Sequence, residues 1–184
     1  MKKILWVLTP VLVILFGVGW IFPYSFLSMN KSILYKPDKV FVNDYIKELR
    51  DLESDYNFKK SSNPTISTIS EVDKMLNEKW LTQKKSIKIS KTDINREISQ
   101  IKNVKNDLVL LERNNKANYK KETLNYLYLL IDDCDSIADQ YSKIKNSNLK
   151  TRFTIQREFG NLHMTYSEYL KKTRSFLESY KSSP

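Results

Sequence analysis

The stretch that decides the fold is residues 155–180, IQREFGNLHMTYSEYLKKTRSFLESY. Its apolar and aromatic residues, joined by one threonine, recur at alternating steps of four and three: Ile155, Phe159, Leu162, Tyr166, Tyr169, Thr173, Phe176 and Tyr180. Such steps keep side chains on one face of an α-helix. The stretch therefore predicts a helix over 150–181 with one continuous buried face.

The preceding segment carries the same pattern. Its apolar ladder consists of Leu124, Leu127, Ile131, Cys134, Ala138 and Tyr141. This spacing is that of a and d positions in helices that pack side by side. We expect a helix over 119–145, and the short turn over 145–150 makes it an antiparallel neighbour of the last helix.

Further upstream, apolar residues recur at every seventh position. The series is Trp80, Ile87, Ile94, Ile101 and Leu108, with Leu76, Val104 and Leu111 at complementary positions. Heptad spacing of this kind indicates a helix that packs like a coiled coil.

The middle of that heptad pattern is weak. The complementary series is interrupted by Gln83, Ser90 and Glu97, and the residues from Ser90 to Asp93 have the form of a capping box. We therefore expect a break near 86–92 and a new helix over 92–113. The alternative is one uninterrupted helix from 70 to 113, about 65 Å long, that protrudes as a stalk.

The first part of the chain after residue 30 also predicts helix. Pro37 and Asp38 suit the first turn of a helix over 38–58. Residues 59–68 form the clearest loop, and the pattern from Thr68 to Glu71 suits a second capping box. Because Gly160 is the only glycine beyond residue 30, few sharp turns are expected. The predicted fold is all-α, an up-and-down bundle of four or five helices with heptad-like packing, preceded by a single N-terminal transmembrane helix.

That N-terminal helix is predicted from residues 4–27, an apolar run of 24 residues without a charge. A helix that spans a bilayer needs about 20 residues, whereas the apolar part of a cleaved signal peptide has about 7–15. The run ends at Phe26-Leu27-Ser28, which lacks the small residues of a cleavage site. These features favour an uncleaved signal-anchor.

The flanks of the run indicate the orientation. Lysines on the two sides nearly balance, but Lys2 and Lys3 directly before the run are typical of an exported chain. Together with Trp20 and Tyr24, which suit the aromatic belt of a bilayer, they form the predicted membrane-anchor interface. The chain is expected in the cell membrane as a single-pass protein with four parts: a cytoplasmic tail (1–3), the signal-anchor (4–27), a membrane-proximal linker (28–36) and an extracytoplasmic helical bundle (37–184).

The charge of the chain is strongly basic, with 31 Lys and Arg against 21 Asp and Glu. Such a surface favours anionic partners, namely an anionic polymer of the cell envelope or lipid headgroups. The candidate basic interaction surface is Lys84, Lys85, Lys88 and Lys91. Because the lysines are spread over several helices and turns, no nucleic acid is expected as a partner.

The sequence offers little material for catalysis. His163 and Cys134 are the only residues of their types, so a monomer has no His/Cys metal cluster. Cys134 lies on a core position, where a small apolar role is usual. Asp132, Asp135 and Asp139 share one helix face, but a straight helix does not wrap a calcium ion, so we expect them to pair with lysines of a neighbouring helix. No catalytic residue, metal or cofactor is predicted.

The resulting functional prediction is a membrane-anchored, non-enzymatic bundle at the outer face of the cell membrane. It acts through protein–protein interaction or self-association, and its anchor contacts the lipid bilayer. The alternative is an extracytoplasmic bundle that senses or binds a ligand. That function needs a cavity with inward polar groups, for which Gln83, Glu97 and His163 are the candidates.

Overall fold

The computed structural model describes residues 10, 13–14, 16–26, 28, 31–56 and 63–182. Much of the predicted anchor, including Lys2 and Lys3, lies outside these residues. Within the described residues, 16–21 are helical, and no helix has both the length and the apolar character needed to cross a membrane.

From residue 31 onward, the described part of the chain is chiefly helical, which confirms the predicted class. Its elements are strand β1 (Ser32–Tyr35), helices α1 (Lys39–Asp55), α2 (Pro64–Leu76) and α3 (Lys79–Thr82), strand β2 (Ile87–Ser90), helix α4 (Lys91–Asn115), a 3-10 turn (Lys116–Asn118), and helices α5 (Lys121–Lys145) and α6 (Arg152–Lys181).

Helices α4, α5 and α6 form the centre of the bundle, with α5 between the other two. Lys105 of α4 pairs with Asp135 of α5, and Glu112 pairs with Tyr128. The higher number on α4 matches the lower number on α5, so the two helices are antiparallel. Helix α2 packs on α4, and α1 packs on α6 and α3.

The buried face of α6 is the one that the opening stretch predicts. Its fully buried residues include Ile155, Phe159, Leu162, Tyr166, Tyr169, Thr173 and Phe176. The heptad residues Ile94, Ile101 and Leu108 of α4 are likewise buried inside this single chain. Their seam is therefore part of the bundle's own core.

The break near 86–92 is confirmed, and the alternative of one long helix is wrong. The side chain of Ser90 accepts a hydrogen bond from the backbone of Asp93, while the Asp93 carboxylate accepts from the backbone of Ser90, and α4 begins at Lys91. What precedes this capping box is strand β2, which pairs antiparallel with β1. The sequence did not predict this ribbon, and β1 lies within the segment predicted as a linker.

Two predicted helix starts are wrong by a few residues. Asp38 is the N-cap of α1, so Pro37 lies before the helix instead of in its first turn. Helix α2 begins at Pro64, because the side chain of Asn63 accepts hydrogen bonds from the next backbone N–H groups. The predicted capping box at Thr68 consequently lies inside α2.

Candidate ligand-binding cleft

A cleft of about 200 Å³ opens where five elements of the bundle meet. Helix α3 and its N-cap Glu78 form one side, strand β2 forms another, and the first turns of α4 form a third. Tyr141 of α5 and Phe159 of α6 complete the lining. A polar and aromatic concavity between several elements is the usual setting of a small-molecule site.

Local structure at the start of α4 positions the acidic side of the cleft. The Asp93 carboxylate accepts hydrogen bonds from the Ser90 backbone at 2.8 Å and from the Ser90 hydroxyl at 2.7 Å. This capping box sets where α4 begins, and Glu97 follows one helical turn after Asp93. The same segment thus joins β2, which lines the cleft, to the helix that carries its carboxylates.

Glu97 is the most unusual residue of the cleft, because only 2% of its surface is exposed. Its Oε1 accepts a hydrogen bond from Arg96 Nη2 at 3.0 Å, whereas its Oε2 has no partner among the described residues. Burial, and then the nearby charge of Glu78, raise the pKa of Glu97 to about 7. A buried carboxylate with a free oxygen is costly unless a donor reaches it.

Trp80 forms the aromatic wall of the cleft. Its ring makes edge-to-face contacts with Tyr141 and Phe159, at centroid distances of 6.2 Å and 5.8 Å. Tyr166 lies against the same indole at 5.6 Å. Edge-to-face pairs of this kind stabilise an aromatic cluster beyond the apolar area that they bury.

His163 is buried next to Trp80 but does not line the cleft. Its ring lies 5.6 Å from the indole centroid and packs edge-to-face with Phe41 and Tyr45. Burial lowers the pKa of His163 to about 4, so the ring is neutral at physiological pH. It is a core residue of the aromatic cluster.

Of the three inward polar groups predicted from sequence, only Glu97 lines the cleft. Gln83 is the half-buried C-cap residue of α3 and lies outside it. Sequence reasoning missed Glu78, Trp80 and Tyr141 as cleft residues. The sequence places Trp80 on the heptad series ahead of the predicted break, and nothing in that pattern indicates the one-turn helix that carries it.

The four lysines of the predicted basic surface line different concavities or contact different residues. Lys84 and Lys85 line a shallow groove with Lys36 and Lys39, and Lys88 lies at the cleft. The ammonium of Lys91 lies 5.7 Å from the centroid of the Tyr24 ring. The four lysines thus have three different sets of neighbours.

The two aromatic residues of the predicted anchor interface have different environments. Trp20 is exposed, and the guanidinium of Arg152 lies 5.7 Å from its ring centroid. Tyr24 is fully buried, and its hydroxyl donates to the carbonyl of Ile89 at 3.2 Å. The chain thus enters the bundle at Tyr24, which docks on β2.

The other side chains that the sequence singled out as reactive or metal-binding candidates are packed in the core or form ion pairs. Cys134 is buried beside the Tyr169 hydroxyl, and burial raises the pKa of its thiol to about 11. Asp135 pairs with Lys105 of the neighbouring helix, as predicted, whereas Asp139 pairs with Lys143 on its own helix. In the part of the chain that the structure describes, no three His, Cys, Asp or Glu side chains are grouped to hold a metal ion.

Comparison with known proteins adds no relative to this description. No protein-family model, no curated protein and no solved structure matches the chain.

Proposed function

We propose that this chain is a membrane-anchored, non-enzymatic helical bundle, held outside the cytoplasm, whose cleft binds a small organic cation. The ligand class is an amine with at least one N–H. The observation that carries the proposal is the buried Glu97, whose Oε2 lacks a partner among the described residues while it lines an aromatic cleft.

The free oxygen of Glu97 specifies the chemistry of the ligand. An ammonium N–H would supply the missing hydrogen bond, and its positive charge would offset the cost of a buried carboxylate. Charge-assisted hydrogen bonds of this kind are about twice as strong as neutral ones. The aromatic rings of Trp80 and Tyr141 line the same cleft, and a cation over the face of either ring would gain a second attraction.

The charges that line the cleft differ in depth. Three lining residues are acidic and three are basic, so their formal charges cancel. However, Lys79 and Lys88 are exposed, and the Arg96 side chain is 63% exposed, whereas Glu97 is buried. Solvent screens the outer cations more than the inner carboxylate, so the interior of the cleft favours a cation.

The size of the cleft limits the ligand. A volume of about 200 Å³ corresponds to roughly seven water molecules at about 30 Å³ each. We therefore expect a ligand with only a few heavy atoms.

The test is calorimetric titration of the purified full-length protein in detergent micelles with ethanolamine. Tetramethylammonium tests the need for an N–H, and acetate tests the need for positive charge. Glu97→Gln should weaken ethanolamine binding by about tenfold or more, because it removes a charged acceptor while it keeps the side-chain shape. Glu71→Gln is the matched control, since Glu71 is exposed on α2 and pairs with Lys74. The proposal would be contradicted if the wild-type protein did not bind ethanolamine, or if the Glu97→Gln variant bound it with the same affinity.

A protein partner is a second candidate function, favoured by the exposed Leu110 and Leu129 on α4 and α5. Self-association through the heptads of α4 is not favoured, because those residues already pack inside the bundle. Crosslinking in native membranes tests this candidate. Recovery of monomer alone, with no crosslinked partner, would count against it.

The non-enzymatic character is supported by the state of the reactive residues. Cys134 and His163 are both buried, and no hydrogen bond joins them among the described contacts. The raised pKa of the thiol disfavours the nucleophilic thiolate.

A further inference from the structure

The connection between α5 and α6 exposes two large apolar side chains. Leu149 is 86% exposed, and Phe153 in the first turn of α6 is 77% exposed. Trp20 is 69% exposed and lies beside these residues, since its ring contacts Arg152 at the start of α6. Single apolar residues on a surface are common, but several together at one end of a domain indicate an interaction site.

This apolar patch is continuous with the predicted anchor. The Arg152 guanidinium donates from Nε to the Trp20 carbonyl and from Nη1 to the Ser32 carbonyl, the latter at 3.3 Å. Arg152 thereby ties the start of α6 both to the end of the apolar N-terminal run and to strand β1. The α5–α6 connection consequently lies beside the point where the chain leaves that run.

A cluster of positive charges lies at the same end. Burial lowers the pKa of Lys91, and the positive charges of Lys31 and Lys145 lower it further. The backbone of Lys91 also donates to the carbonyl of Lys31 at 3.2 Å. With Arg152, four cations border the patch, which complements the negative surface of a bilayer that contains anionic lipids.

We propose that this end of the bundle lies on the membrane. Leu149 and Phe153 insert among the lipid chains at the interface, and Lys31, Lys91, Lys145 and Arg152 contact anionic headgroups. The proposal rests on the membrane anchoring stated above, and it adds that the bundle docks in a defined orientation instead of hanging from a free linker. Apolar insertion combined with basic flanks is the usual composition of an interfacial membrane contact.

The experiment uses the full-length chain in phosphatidylcholine vesicles with or without phosphatidylglycerol. A Leu149→Cys variant is labelled with an environment-sensitive fluorophore, and Leu110→Cys is the matched control. Leu110 is half-exposed and lies toward the other end of α4, about 28 Å along the helix from Lys91. The buried Cys134, whose pKa burial raises to about 11, should not react with the label.

We expect the fluorophore at position 149 to show blue-shifted emission and to be quenched by lipids brominated on their acyl chains. The fluorophore at position 110 should keep the emission of an aqueous environment. Lys91→Gln and Lys145→Gln should each lower the ratio of docked to undocked probe roughly fivefold in vesicles with phosphatidylglycerol, since one interfacial cation contributes about that factor. The same changes should have no such effect without the anionic lipid.

An aqueous probe at 149 would overturn the inference, as would crosslinking of this position to a second copy of the chain in place of lipid quenching. Flotation of the vesicles separates this failure from that of the anchor. If the wild-type protein does not float with the vesicles, the proposed anchoring fails. If it floats but the probe at 149 stays aqueous, only the docking fails.

Discussion

Replacement of Glu97 by glutamine should make the stability of the bundle less dependent on pH. The folded pKa of Glu97 is raised from its ordinary 4.5 to about 7 by burial and by the charge of Glu78. Between these two values the folded protein keeps the proton while the unfolded chain has lost it. Folding is therefore favoured most below about pH 4.5, and that advantage is lost as the pH rises through about 7.

The size of the effect follows from the two pKa values. One pKa unit corresponds to about 1.4 kcal/mol, so a rise of this extent costs on the order of 3 kcal/mol of unfolding free energy above pH 7. Besides burial, three charged neighbours contribute to this value: Glu78, Arg96 and Asp93. Tyr141 of α5 lines the same cleft. Arg96 reduces the cost through its hydrogen bond, but its exposed side chain is screened by solvent.

The assay is urea unfolding of the full-length chain in detergent micelles, followed by circular dichroism from pH 4 to pH 8. The difference between variant and wild type isolates Glu97, because other groups that titrate in this range contribute to both proteins. One such group is Asp73, whose pKa is raised to about 6 by burial and then by Glu53. The stability of Glu97→Gln relative to wild type should rise from pH 5 to about pH 7 and level off by pH 8. A difference that stays constant over this range would refute the reasoning.

Three further predictions concern the residues around the cleft. His163→Phe should lessen the loss of stability in acid. Burial lowers the pKa of His163 to about 4, so the wild-type protein loses folding free energy as the pH falls from about 6.5 to 4. Urea titrations at pH 7 and pH 4.5 that show equal differences from wild type would contradict this. Trp80→Ala should destabilise the bundle by about 3–5 kcal/mol, since it empties the centre of the aromatic cluster; a change below about 1 kcal/mol in denaturant unfolding would show that the cluster is loosely packed. Ser90→Ala should lower the free energy of unfolding by about 1 kcal/mol, because it removes the cap of α4. Ser99→Ala, on the exposed face of the same helix, is its control. Equal unfolding midpoints for the two variants would rule out the cap as a source of stability.

The helices of the centre were predictable because their signals are local. The alternating steps of residues 155–180 define one face of α6, and that face is buried from Ile155 to Phe176. The capping box at Ser90 was visible as four consecutive residues, and it correctly indicated both the break and the start of α4. In each case the energetics depend on residues at most a few positions apart.

The candidate cleft was predictable only at one residue. Glu97 was noticeable because a carboxylate occupies a position where the heptad calls for an apolar side chain, and it is indeed buried. Gln83 occupies the corresponding position two heptads earlier, but it lies at the end of α3, where the heptad no longer applies. The chain itself leaves the helix there, so the periodicity no longer describes which side chains face inward.

The sequence by itself determined the helical class, the order of the central helices and which faces they bury, because periodic apolar residues and caps act within one helix or between neighbours in the chain. The tertiary structure decided the β1–β2 ribbon, in which Ser32 pairs with Ser90 and Tyr35 with Ile87, because strands of four residues have too short a pattern to reveal partners so distant in sequence. It also decided the cleft, since α3, β2, α4, α5 and α6 each contribute to it. Only the packing of these elements shows that Glu97 is buried with one carboxylate oxygen that has no partner among the described residues.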